Sequence, residues 1–137
     1  MRTEFEQNVI KRVIEFACFN LTVSDVFVST DWYVKHLGCR VVREPQRFMD
    51  GSANSQIKIG VQTVFLHESS DRVKIHYTHS NGSMGSIFEL RTENIDEFYE
   101  QLLKEGVHVF ERFDNLPCAK YFKVADPDGN VLSIMEF

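Results

Sequence analysis

Five histidines, three cysteines and a set of scattered carboxylates are the side chains from which this sequence could build chemistry. His76-x-x-His79, with Tyr77 between them, has a spacing that metal ligands use. It lies in the polar stretch 68–83 with no cysteine or second pair beside it, and so reads as solvent-exposed histidines. Cys18, Cys39 and Cys118 are odd in number and form no spaced pair. That argues against a disulfide framework or zinc ribbon and fits reduced thiols in the cytoplasm. Cys18 has only Phe16 and Asn20 as same-face neighbours, neither of which would turn its thiol into a nucleophile. His67 alternates with Phe65 and reads as a hydrogen-bonded pocket histidine. Glu89 and Arg91 alternate with Ile87 and share its face. There they either orient a polar ligand, with Arg91 gripping an oxyanion, or pair at a rim. Tyr121 and Lys123 share a face of a later strand, and parity leaves the direction of that face open.

These residues need elements to hold them. The run 13–23 is β-branched and aromatic and reads as a strand, with Ala17, Phe19, Leu21 and Val23 on one face and Cys18, Asn20 and Thr22 on the other. Ser24-Asp25 supplies a helix start and Gly38 its stop. Strands are predicted at 39–44, 56–60 and 62–67. After a polar connection or flap over 68–83, the same order returns. A strand is expected at 85–92, then a helix from Glu93-Asn94 to Gly106 with Ile95, Phe98, Tyr99, Leu102 and Leu103 on one stripe. Further strands follow at 107–113, 119–125 and 131–136, the last two joined by the turn Asp126-Pro127-Asp128-Gly129-Asn130. Gly38 and Gly106, Gln62 and Asn130, and Glu68 and Glu136 are each 68 residues apart, which marks an internal repeat.

Composition narrows the function classes. The chain has 137 residues, 43% hydrophobic, with 15 Lys+Arg against 20 Asp+Glu and a net charge of −5. Without a basic block, nucleic acid is not expected as a partner. No apolar run approaches the roughly 20 residues that cross a bilayer, and Met1–Glu6 lacks the order of a secretory signal. A cytoplasmic globule is expected.

Three motifs, in order, carry a resemblance. Val23-Ser24-Asp25-x6-Trp32-Tyr33-x3-Leu37-Gly38 is similar to the opening of the glyoxalase/bleomycin-resistance/extradiol-dioxygenase (vicinal oxygen chelate) superfamily. Ile59-Gly60-x-Gln62-x-Val64-Phe65-Leu66-His67-Glu68 resembles the end of its first module, and Phe122-x3-Asp126-Pro127-Asp128-Gly129-Asn130 the start of its closing hairpin. The resemblance implies an α+β fold: two βαβββ modules whose curved mixed sheets enclose a cleft, with one helix per module outside. Residues 1–12 form an N-terminal extension, and the modules span 13–68 and 84–137.

The resemblance also implies four positions for a divalent ion, held in the metal-dependent members by His or Glu. Here they fall on Cys18, Phe65, Ile87 (Ser86 if the register moves by one) and Ser133. Phenylalanine and isoleucine cannot coordinate, serine is a poor ligand, and one thiol cannot hold an ion alone. The expectation is therefore a protein without metal or other cofactor that binds a small organic molecule. Phe16, Phe65 and Met135 would form apolar walls, with Cys18 and Ile87 also in the cleft and Asn20, His67, Glu89, Arg91 and Ser133 as orienting polar groups. A metal-dependent lyase, isomerase or dioxygenase with relocated ligands is one alternative. A partner-binding module with a vestigial cleft is the other. Apolar Phe5, Val9 and Ile10 in the extension point to a homodimer.

Overall fold

The computed structural model describes residues 10, 12–117 and 119–137; the rest of the extension, with Phe5 and Val9, and Cys118 lie outside the described residues. Helix α1, Val26–Leu37, starts where the Asp25 carboxylate accepts from the Phe27 and Val28 amides at 3.0 and 3.1 Å. It stops at Gly38, whose φ of 72° closes the last turn as a side chain could not without strain. Val26, Ser29, Thr30 and Tyr33 are its buried stripe. Helix α2, Ile95–Lys104, is capped by Asn94, which accepts from the Glu97 amide at 3.3 Å.

Each helix is followed by a sheet that includes the strand before it. The first holds β1 (Phe19–Val23), β2 (Arg40–Arg47), β3 (Ala53–Ile59) and β4 (Gln62–Glu68) in the order β1-β4-β3-β2. A hairpin of β5 (His76–Thr78) and β6 (Met84–Ser86) intervenes. The second sheet holds β7 (Glu89–Arg91), β8 (Val109–Phe113), β9 (Lys120–Ala125) and β10 (Val131–Glu136) in the order β7-β10-β9-β8. In both sheets the first strand runs parallel to the last and the other pairs are antiparallel. The expected βαβββ repeat is therefore present in both halves.

The repeated glutamates explain part of the repeat. Glu68, at the end of β4, accepts from the Val26 amide at 3.2 Å, and Glu136, at the end of β10, accepts from the Ile95 amide at 2.9 Å. Each ties the last strand of its module to the positive end of that module's helix. The two modules share one core, with Leu21, Val23, Ile57 and Leu66 from one sheet and Phe122, Val124, Leu132 and Ile134 from the other. Tyr33 of α1 donates to the buried Asp126 carboxylate at 2.7 Å, and His36 meets Glu105 at 2.7 Å. Asp126 also accepts from the Asp128 and Asn130 amides, so the DPDGN turn is locked onto the first helix. Burial pushes the Asp126 carboxyl and the Tyr33 phenol upward, the phenol well above its usual range.

Three sequence expectations need correction. The first strand begins at Phe19, not residue 13. Phe19 pairs with Val64, so in that parallel register Ala17 would face Gln62, the first residue of β4, and nothing earlier has a partner. The run 85–92 is broken: its start pairs with β5 and its end with β10, with Ile87 and Phe88 between. The connection 68–83 contains β5 and folds back over the second sheet.

Candidate functional site

The faces turned away from the helices can be read from the register. In the first sheet, Asn20, Phe65, Gln56 and Arg43 stand in one row across the four strands, and Thr22, His67, Asn54 and Gln46 in the next. In the second sheet the corresponding rows are Glu89, Ser133, Lys123 with the neighbouring Glu111, and Arg91, Met135, Tyr121, Phe113. Asn20, Phe65 and His67 thus share one inner face, and Glu89, Arg91, Ser133 and Met135 the other. The His67 ring stacks at 17° on Phe65 and bonds Asn20 Oδ1 through Nε2 at 2.9 Å.

Among the described residues, the second face is the one with a hairpin for a roof. Hairpin β5–β6 lies over it and leaves a cavity of about 260 Å³ between Tyr77, His79 and Met84 above and Ser86, Glu89, Tyr121, Lys123, Ser133 and Met135 below. Lys123 is buried, 6% exposed, and its ammonium donates to the Met84 carbonyl at 2.8 Å and to Glu111 at 2.6 Å. An ammonium has three N–H groups, so one remains for a guest. Tyr77 lies flat across its partner Gly85: a Cβ there would sit 2.4 Å from the tyrosine ring, so only glycine accepts the ring in this place.

Ser86 and Ser133 are the centre of this cavity's floor, with hydroxyl oxygens 2.9 Å apart. The break between β6 and β7 puts Ser86 there and removes Ile87, which is 57% exposed and lines a different hollow with Phe19, Val64 and Phe88. Phe16, 74% exposed, precedes β1 and packs on Phe19, and Cys18 is half-buried just before the strand. Neither belongs to the covered cavity. Arg91 extends over the Phe137 ring at 5.5 Å and makes no pair with Glu89. His76 accepts from the Val131 amide at 3.3 Å, which fixes the hairpin, and His79 packs edge-on to Tyr77. Tyr77, Tyr121, Lys123 and Glu111 are among the residues that sequence alone did not gather. Parity left Lys123 undirected, and no spacing rule links a hairpin to a sheet it covers.

The sequence profile of the Glyoxalase/Bleomycin resistance protein/Dioxygenase superfamily matches residues 15–134. The chain belongs to that superfamily. Among solved structures it is similar to FosX, a genomically encoded fosfomycin resistance protein from Listeria monocytogenes, at 12% identity and a TM-score of 0.71 over 92% of this chain and 95% of that one. A glyoxalase family protein from Bacillus anthracis gives 19% identity and 0.68 over 93% and 98%. TnmS3, an antibiotic binding protein from Streptomyces, gives 22% and 0.64 over 93% and 98%. These likenesses show the fold. No curated protein matches the sequence significantly.

The metal that many glyoxalase-superfamily members carry does not fit these residues. Its four places hold Cys18, Phe65, Ser133 and, after the break in the strand, Ser86. Two neutral hydroxyls in mutual contact are weak donors for a divalent ion, and a phenylalanine offers none. Among the described residues no three His, Cys, Asp or Glu side chains converge as a ligand set, and no helix is long and apolar enough to cross a membrane.

Proposed function

We propose that this superfamily member binds a small organic molecule in the cavity beneath hairpin β5–β6, without a resident metal ion. The observation that carries the reading is the floor of the cavity. Where the metal-dependent members present charged or imidazole ligands, this chain presents the Ser86–Ser133 hydroxyl pair, with the Lys123 ammonium in the adjacent strand. That set offers hydrogen bonds, one of them from an ammonium already paired with Glu111, between aromatic and thioether walls, as a small-molecule pocket needs. The antibiotic-binding role named for TnmS3 supports the same reading on the same fold. Glu89, Ser133 and Met135 are the expected cleft residues that contribute to it, joined by Ser86, Lys123, Tyr77 and Tyr121.

The reading extends to a homodimer in the cytoplasm. Val13, Ile14 and Phe16 are 90%, 80% and 74% exposed, an apolar run that a second copy would cover. Light scattering should give twice the chain mass at micromolar concentration, and a monomer removes this part.

Native mass spectrometry and elemental analysis of untagged protein test the function. The expected result is a retained small molecule, lost in Lys123→Met, with metal well below one equivalent. One equivalent of metal that leaves with an activity on chelation overturns the reading in favour of a metal-dependent lyase, isomerase or dioxygenase. Retention of no small molecule by either protein, with capture of a protein partner on the same surface, favours an interaction module.

A further inference from the structure

The edge strands of the two modules kink at the same place. In β2, Val41 pairs with Ile57, Arg43 with Gln56 and Gln46 with Asn54, so the register shifts on both sides of Arg43. In β8 the shift falls between Phe110 and Phe113, around Glu111, which holds a left-handed φ of 50°. Arg43 and Glu111 are 68 residues apart, the period of the repeat. The kink decides where the charge goes. In an unbroken strand Arg43 would share the helix-facing side of Val41 and the buried Ile57. One extra residue turns it to the inner face beside Gln56.

The two charges then meet different partners. Glu111 bonds Lys123. The place of Lys123 in the first module is taken by Gln56, since Lys123 stands opposite Ser133 and Gln56 opposite Phe65. Glutamine carries no charge to match Arg43, and no described acidic side chain pairs with it. Arg43 Nη1 is shut off from solvent without a partner, and so is Asn54 Oδ1, one row away on the same face. Such orphans are uncommon among buried polar groups. One is a donor and the other an acceptor.

We propose that the inner face of the first module binds an organic oxyanion, a carboxylate or phosphate with a hydroxyl or amine donor beside it. The oxyanion sits on the Arg43 guanidinium, whose planar fork suits two oxygens, and the neighbouring donor bonds Asn54 Oδ1. Gln56 and the stacked Phe65–His67 rings flank the guest in the adjoining strands. None of these residues lines the cavity beneath the hairpin, so the site stands apart from that one.

Nitrogen-edited NMR of the full chain tests this, with glycolate, acetate and inorganic phosphate as probes. Glycolate is expected to shift the Arg43 guanidinium and Asn54 amide signals saturably, and acetate to shift Arg43 with weaker affinity because it lacks the second donor. Whether phosphate or glycolate binds more tightly names the oxyanion. R43Q should weaken glycolate by about tenfold or more. R43K should fall between the two, and N54A should erase the advantage of glycolate over acetate. Core signals from Phe122 and Leu66 report that each variant is folded. No saturable shift with any probe overturns the proposal. So does unchanged affinity in R43Q or, if that variant does not fold, in both R43K and N54A. A direct Arg43–Asn54 side-chain bond that persists through the titration also overturns it.

Discussion

Set side by side, the two modules share the devices that cap, end and clamp their helices and differ in nearly every residue that faces inward. Asp25 and Asn94 cap the helices, Gly38 and Gly106 end them with φ of 72° and 77°, and Glu68 and Glu136 clamp the strand ends to the helix starts. Across the inner rows the matches disappear: Asn20 against Glu89, Phe65 against Ser133, Gln56 against Lys123, Arg43 against Glu111. The difference teaches where duplication leaves freedom. A cap or a left-handed glycine is demanded by backbone geometry in both copies, whereas an inward side chain answers only to what it touches. One face has an ion pair and a hairpin roof; the other has an arginine with no acidic partner among the described residues.

The sharpest break of that comparison is at the paired positions Lys123 and Gln56. Lys123→Met leaves Glu111 without its cation and the Met84 carbonyl without its donor. Because Glu111 is half exposed and can turn to water, the cost should be about 2 kcal/mol, below that of a fully buried broken pair. Gln56→Met, at the equivalent place, should change stability by less than about 0.5 kcal/mol. Denaturant unfolding of both variants checks this, and equal losses would remove the asymmetry.

A second variant probes the joint between the modules. Tyr33→Phe deletes the 2.7 Å bond to Asp126 and should cost about 1–2 kcal/mol. The sign of its pH dependence follows from the raised phenol. The unfolded chain ionises Tyr33 near 10 while the folded chain keeps it protonated, so folding stability falls as pH climbs above 10. The variant should lose that part of the alkaline decline. Unfolding midpoints between pH 8 and 11 measure it, and an unchanged slope would place the decline elsewhere.

The frame was legible in the sequence because its parts are local. Asp25, Gly38, the α2 stripe and the DPDGN turn each signal a conformation within a few residues, and the 68-residue period joined the two copies. The inner faces were legible only in part. Strand alternation put Asn20, Phe65 and His67 on one face and Glu89, Ser133 and Met135 on another. It failed at Ile87, since a β-branched apolar residue between strands looks the same as one inside a strand. Kinks such as those at Arg43 and Glu111 have no periodicity at all: one extra residue reverses the parity of everything after it. The roof was invisible for a different reason. Its contacts to Lys123 and Val131 join residues 39 and 55 positions apart, beyond any local pattern.

The glutamate clamps should fail alike. Glu68→Ala and Glu136→Ala each free a helix-end amide and remove a negative charge from the helix N-terminus, at about 1 kcal/mol apiece. Glu68 also bonds Arg47 at 2.8 Å, an exposed pair that adds little. Amide hydrogen exchange should rise at Val26 in one variant and at Ile95 in the other. Exchange spreading through both helices in either variant would show that the clamps are not separate.

A small stability effect, and the one most specific to the roofed face, belongs to Gly85→Ala. Its new methyl would meet the Tyr77 ring 2.4 Å away. The ring is the end of a side chain that is 47% exposed, so it can swing outward while the hairpin stays paired. The cost should stay below about 1 kcal/mol, at the low end for a substitution at a buried position, because the atom it meets can move. What changes is access. With Tyr77 displaced, the cavity loses one wall and the Lys123 ammonium beneath becomes reachable. Brief acetylation followed by mass spectrometry should show Lys123 modified faster in Gly85→Ala than in the parent chain. Tyr77→Ala should give the same acceleration, and the double variant no more than either, because both act through one ring. Additive acceleration, or none in Gly85→Ala, would mean that the tyrosine does not close the cavity, and the covered and open faces would then differ less than their residues suggest.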